Sequence, residues 1–123
     1  MYGRYDRLNV FFEGRDGICH VRALVPRTTK LRRQGLRGLT HLPRGAAMVF
    51  PFHNDKAALT MTGMSFPIDI AFVRKGWLVK WVTAAPGEAV IAGPEGADMA
   101  IELPARYLSA QGIEPGTAVR VRS

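Results

Sequence analysis

Short apolar runs separated by turn residues dominate the chain, and the two most apolar runs lie near its centre. Ala46–Phe52 and Ile68–Val73 are shorter than most helices and rich in residues that favour strands. The polar cluster that starts at His53 and the turn-forming Arg74-Lys75-Gly76 segment end these two runs. We therefore predict two buried strands that carry the core.

Alternating apolar and polar positions predict further strands on both sides of this centre. Gly14 and Gly17 lie on either side of Arg15-Asp16, so residues 13–17 are predicted to form a hairpin loop between the first two strands. The predicted flanking strands are Leu8–Phe12, Ile18–Val25, Trp77–Thr83, Asp98–Leu103 and Ala118–Arg122.

Two short helices are predicted between the strands. Thr28 or Thr29 can cap a helix through Leu31–Gln34, and Pro104 precedes a second helix at Ala105–Gln111. Many short strands with one or two short helices predict a mainly β fold, a single small antiparallel β sandwich or barrel. We expect residues 1–7 to form an N-terminal arm and residues 8–123 to form the single β domain.

Positive charge is unevenly distributed along this chain, whose net charge is +7. No Asp or Glu occurs between Gly17 and Asn54. A basic face there suits phosphate groups or an acidic protein surface, although a solvated arginine-rich surface explains the same pattern. The basic residues of this window are Arg22, Arg27, Lys30, Arg32, Arg33, Arg37 and Arg44.

The N-terminal arm combines aromatic and basic side chains, with Tyr2, Arg4 and Tyr5 as its candidate contacts. Tyrosine and arginine are enriched at protein interfaces, so the arm is suited to anchoring a partner chain. A frayed terminus is the alternative interpretation.

No constellation of catalytic or metal-binding residues stands out. Cys19 and His20 are adjacent, and adjacent strand residues point to opposite faces, so we predict no metal and no cofactor. Nucleophile, phosphate-loop and dinucleotide motifs are also absent, so we expect the protein not to be an enzyme.

Asp69 and the tryptophans each have two interpretations. Asp69 interrupts an apolar strand, either as a site carboxylate with a raised pKa or as a structural acid with an arginine or backbone partner. The structural role is favoured. Trp77 and Trp81 are predicted to be core residues, or a stacking platform beside Lys80 and Arg74 for a single-stranded nucleic acid.

Several motifs together resemble the family catalogued as domain of unknown function 192, a set of small, mainly β proteins. The most specific is Pro67-Ile68-Asp69-Ile70-Ala71-Phe72, which is close to the family's Pro-Leu-Asp-Ile-x-Phe segment. Other matching segments are Gly35-Leu36, Ala47-Met48-Val49-Phe50, Ala84-Ala85-Pro86, Ile101-Glu102-Leu103 and Gly112–Thr117.

Two departures from the family pattern fall on polar positions. Leu39 stands where the family has an arginine, and Gly63-Met64 replaces an Asn-Thr pair. Arg37 in turn replaces a methionine. The resemblance implies a fold rather than an activity, and these departures imply a changed or lost ancestral pocket.

Three functional hypotheses follow. The first is a non-enzymatic structural or interaction module that is a subunit of a larger assembly, such as a phage virion or another multi-protein complex. The second is nucleic-acid or polyanion binding through the arginine-rich 22–44 face. The third is a hydrolase or small-molecule binder on the family fold.

The expected location is the cytoplasm or a virion. The chain has no run of about 18 apolar residues and no leader pattern at its N-terminus. Its single cysteine, Cys19, excludes an internal disulfide and fits a reducing compartment. We therefore expect protein partners or nucleic acid, and no membrane contact.

Overall fold

The computed structural model describes residues 5–53 and 56–123, which form a β barrel with two short helices. Within these ranges the elements are β1 (Tyr5–Gly14), β2 (Gly17–Pro26), α1 (Thr29–Gln34), β3 (Ala46–Pro51), β4 (Ala58–Leu59), β5 (Ile68–Arg74), β6 (Trp77–Ala84), β7 (Ile91–Ala92), β8 (Met99–Pro104), α2 (Tyr107–Ala110) and β9 (Ala118–Arg122). The mainly β prediction with two short helices is confirmed. No helix in the described part of the chain has the length and apolarity needed to cross a membrane.

Seven strands close the barrel in the order β1-β2-β3-β8-β5-β6-β9, and β4 pairs with β7 in a separate two-stranded sheet. The barrel half of the fold prediction is confirmed, but the antiparallel description is wrong at one seam. β2 and β3 run parallel, from Arg22 opposite Ala46 to Leu24 opposite Met48. Residues 27–45 form a crossover that contains α1, and parallel neighbours require such a long connection.

The strands separate two apolar clusters. One cluster fills the barrel, and the other lies on the outside of β3, β5 and β8 beneath the long loops. β5 shows the division: Ala71 and Val73 belong to the inner cluster, whereas Ile70 and Phe72 belong to the outer one. Burial of both faces explains why the central runs are continuously apolar rather than alternating.

The core prediction for the tryptophans is wrong for Trp77, which is 56% exposed. Trp81 is partly buried against the inner cluster. The register of β5 with β6 shifts between Phe72 and Val73, which marks a bulge. Side chains of β6 before and after this bulge therefore no longer follow one inward-outward alternation. A strict alternation therefore places Trp77 and Trp81 on one face, whereas the bulge places Trp77 outside.

Candidate ligand-binding groove

A groove of about 700 Å³ opens on the outside of the barrel, over the outer cluster. α1 and the loop after it form one wall, and β4 with the loop before β7 forms the opposite wall. Its lining residues are Thr29, Arg32, Arg33, Gln34, Gly35, Leu36, Arg37, Phe50, Phe52, Ala58, Leu59, Thr60, Met64, Ala89, Val90 and Glu102.

Glu102 lies at the floor of this groove. It stands opposite Met48 of β3 and Ile70 of β5, so its side chain leaves the barrel on the side of the outer cluster. Only 6% of the residue is exposed, and no described residue gives its carboxyl group a hydrogen bond or an ion pair. The described side chains include no fully enclosed polar atom without a partner, so the carboxyl oxygens open onto the groove.

Burial raises the pKa of Glu102 from its ordinary value of 4.5 to about 7. Removing a carboxylate from water disfavours the charged form, which is the larger effect here. The positive charge of Arg37 opposes this rise and lowers the pKa in part. Near neutral pH the groove therefore holds both protonated and ionised Glu102.

Three arginines line the groove, and Arg37 is the one whose charge acts on Glu102. The Nε of Arg37 donates to the carbonyl oxygen of Thr62 at 2.6 Å, which fixes the side chain along the groove wall. Arg32 donates to the carbonyl oxygen of Pro51 at 3.1 Å. Arg33 is exposed and has no partner among the described residues.

The local sequence explains how α1 presents these arginines. The hydroxyl of Thr28 accepts a hydrogen bond from the Leu31 N–H at 3.1 Å and so caps the helix start, as predicted. Gly35 ends the helix with a φ of 51°, a conformation that favours glycine. Arg32 and Arg33 fall in the last turn, where positive charge interacts favourably with the helix dipole.

The structure disperses the basic residues that the sequence grouped between 22 and 44. Arg32, Arg33 and Arg37 reach the groove, while Lys30 is exposed on α1 without lining it. Arg27 forms an ion pair with Asp6.

Arg22 and Arg44 do not line the groove. The Arg22 N–H donates to the carbonyl oxygen of Gly45 at 2.8 Å. Of the arm residues, Tyr5 is half-buried in β1, and Tyr2 and Arg4 lie outside the described residues. Partner binding by these residues stays a prediction.

Asp69 is completely buried and plays a structural role, as favoured from the sequence. Its carboxylate accepts hydrogen bonds from the Thr83 hydroxyl at 2.7 Å, the Arg106 N–H at 3.0 Å and the Leu108 N–H at 3.0 Å. Because α2 has no side-chain cap of its own, Asp69 supplies an acceptor at its N-terminus. The Pro-Ile-Asp-Ile motif thus joins β5 to α2.

Sequence reasoning missed Glu102 as a site residue. It treated Asp69 as the one acid inside an apolar strand, which is wrong because β8 also contains one. The Ile101-Glu102-Leu103 alternation could have identified it. Ile101 and Leu103 point into the barrel, so Glu102 between them points out of the barrel.

Metal binding has no geometric support within residues 5–53 and 56–123. No three His, Cys, Asp or Glu side chains come together there in an arrangement that could hold an ion.

Two solved structures have the same fold as this chain. No curated protein matches the chain. A protein of unknown function from Novosphingobium aromaticivorans DSM 12444 is 25% identical, with a TM-score of 0.84 over 91% of this chain and 83% of that one. A candidate transcription regulator from Sinorhizobium meliloti 1021 is 22% identical, with a TM-score of 0.87 over 95% of each chain, and it shows the fold alone.

The family comparison covers most of the chain. The model of domain of unknown function 192, described as an uncharacterised ACR, matches residues 12–121. The matched region includes both walls of the groove, the whole of β2 to β8, the last three residues of β1 and all of β9 except Arg122. The chain therefore belongs to the domain of unknown function 192 family, as its motifs predicted.

Proposed function

We propose that this protein is a small-molecule-binding module whose groove takes an organic anion that also carries a hydrogen-bond donor. The observation that supports this proposal is the buried carboxyl of Glu102, which has no hydrogen-bond or ion-pair partner among the described residues and faces a groove lined by three arginines. A buried ionisable group without a partner is costly to the fold and is a common mark of a functional site.

The anionic end of the ligand meets the arginines. The Arg33 side chain has no hydrogen-bond or ion-pair partner among the described residues. The Nε of Arg37 donates to Thr62, so the two terminal nitrogens of Arg37 can bind a ligand in the groove. Guanidinium groups bind carboxylate or phosphate through paired hydrogen bonds.

The donor end of the ligand meets Glu102. An ammonium, amide or hydroxyl group placed there supplies the hydrogen bond that the described residues do not give. An ammonium group also stabilises the ionised carboxylate, so its binding lowers the pKa of Glu102. The groove is thereby matched to a molecule with two different polar ends.

The middle of the groove suits an apolar body. Phe50 and Phe52 are at most 9% exposed and form part of its wall, together with Leu59 and Met64. A volume of about 700 Å³ falls in the range of small-molecule sites, roughly 300 to 1,000 Å³. This is the small-molecule binder on the family fold, the third hypothesis from the sequence.

Three related compounds test this two-ended recognition. L-phenylalanine carries both polar ends, phenethylamine lacks the carboxylate, and 3-phenylpropionate lacks the donor. We expect L-phenylalanine to bind at least tenfold more tightly than either truncated compound, because a hydrogen bond to a charged group contributes about 1.5–3 kcal/mol. Amide chemical-shift titration measures each Kd and places binding at the groove.

Arg33→Met is the test variant and Lys30→Met its control, since Lys30 lies on the same helix outside the groove lining. Arg33→Met should weaken L-phenylalanine binding by at least tenfold, while Lys30→Met should change it by less than twofold. Equal affinity for all three compounds, or shifts confined to other surfaces, would refute the proposed function.

A further inference from the structure

A second basic surface covers the outside of β1, β2 and β9, on strands that do not line the groove. Asn9 of β1 stands between Arg22 of β2 and Arg122 of β9 in the strand register. Both arginine side chains are exposed and have no hydrogen-bond or ion-pair partner among the described residues. Two strand spacings separate them, which is about 10 Å.

The acidic side chains near Asn9, Arg22 and Arg122 already form ion pairs with other arginines. Glu13 is the outward acid of β1, and it forms an ion pair with Arg120 of β9. Asp6 forms an ion pair with Arg27. The charge that Arg22 and Arg122 present to solvent is therefore not cancelled by these neighbours.

Aromatic rings lie in the next row of the same surface. Phe11 is half-buried and stacks on the exposed ring of His20, with centroids 4.7 Å apart and planes 12° apart. The His20 ring also hydrogen-bonds to Asn9 at 2.7 Å between Nε2 and Oδ1, which joins the aromatic row to the arginine row.

Trp77 extends the surface across the barrel seam. It stands opposite Ala118 of β9, which in turn stands opposite Glu13 of β1. More than half of Trp77 is exposed. A shallow depression of about 490 Å³ lies toward the other end of the surface, lined in part by Asn9, Arg22 and Leu24.

We propose that this surface binds single-stranded nucleic acid, and we call it the basic strand face. Its residues are Asn9, Phe11, His20, Arg22, Trp77 and Arg122. The arginines neutralise phosphates, and the exposed rings stack on bases. A single strand is favoured over a duplex because the faces of its bases are free to stack on a sheet.

Fluorescence anisotropy with a labelled dT12 oligonucleotide tests the proposal. The parent protein should bind with an affinity that falls steeply as salt rises, because bound phosphates release counterions. Arg22→Gln with Arg122→Gln should raise the Kd at least tenfold. The slope of log K against log salt should shrink by about 1.4, from roughly 0.7 for each lost phosphate contact.

The matched control replaces two exposed lysines on segments that do not form this face, Lys30 of α1 and Lys56, as Lys30→Gln with Lys56→Gln, with the same loss of charge. It should change the Kd by less than threefold. Phe11→Leu and Trp77→Leu should each weaken binding about tenfold, because stacking on a base contributes roughly 1–3 kcal/mol.

Three outcomes would overturn the proposal. One is equal loss of affinity in the control variant, which would mean that only net charge matters. Another is polyglutamate binding as tightly as dT12 at equal charge, which would assign the face to an acidic protein. The third is absence of salt-dependent binding by the parent protein. None of these outcomes bears on L-phenylalanine binding in the groove, so the two proposals fail separately.

Discussion

Replacing Glu102 with glutamine is expected to raise the free energy of unfolding at pH 8 by about 3 kcal/mol. The pKa of Glu102 is about 7 in the folded protein and is ordinarily 4.5. The folded state therefore binds more protons than the unfolded state between these two values, and stability falls as the pH rises through this window. A difference of 2.5 pKa units corresponds to about 3 kcal/mol at 1.36 kcal/mol for each unit.

Urea unfolding at pH 5 and pH 8 measures this effect. Below pH 5 the native carboxyl is protonated in most molecules, so Glu102→Gln should differ from the parent by less than about 1 kcal/mol. Glu95→Gln is the matched control, because Glu95 is exposed and the charge change is identical. Parallel pH profiles for Glu102→Gln and the parent would contradict the burial of an ionisable carboxyl at this position.

Removing the Asp69 carboxylate is expected to destabilise the protein by about 3–4 kcal/mol in the Asp69→Ala variant. Three donors lose their acceptor, and the Leu108 N–H is buried where water cannot replace it. Each hydrogen bond to a charged group contributes about 1.5–3 kcal/mol, and neighbouring contributions are not additive. The main effect should fall on the start of α2.

A series of variants makes this prediction testable even if Asp69→Ala does not fold. Asp69→Asn keeps one acceptor oxygen and should lose about 2 kcal/mol, while Thr83→Val removes a single bond and should lose about 1 kcal/mol. Hydrogen exchange of the Leu108 amide should accelerate in both Asp69 variants and stay slow in Thr83→Val. Loss of stability without faster exchange at Leu108 would refute the capping role of Asp69.

The fold was predictable from the sequence to the extent that each strand carries its own pattern. The central runs are buried on both faces and so appear as unbroken apolar segments, which local sequence reveals. Pairing partners are not encoded locally. The parallel seam between β2 and β3 depends on how the 27–45 crossover packs, which no spacing within either strand indicates.

The groove was less predictable because it is assembled from distant segments. Arg37 and Glu102 are about half of the chain apart and come together only when β8 pairs with β3 and β5. The run of basic residues from Arg22 to Arg44 was visible, but it passes through a strand, a helix and a turn that point in different directions. Sequence proximity therefore grouped side chains that the barrel separates.

The bulge in β6 shows a second limit of pattern analysis. Alternation places Trp77 on the face of Trp81, and one shifted register position is enough to move it to the surface. The same shift gives the basic strand face an exposed tryptophan ring. A bulge leaves no distinctive residue in the Trp77–Ala84 segment, so the pattern could not reveal it.

The titration of Glu102 itself tests the account most directly. Carbon-13 NMR of the side-chain carboxyl group, assigned by comparison with Glu102→Gln, reports its pKa with and without L-phenylalanine. We expect a pKa of about 7 for the free protein and a lower value when the ligand's ammonium group occupies the groove. A pKa near 4.5 in the free protein, unchanged by the ligand, would contradict both the burial of this acid and its role in binding.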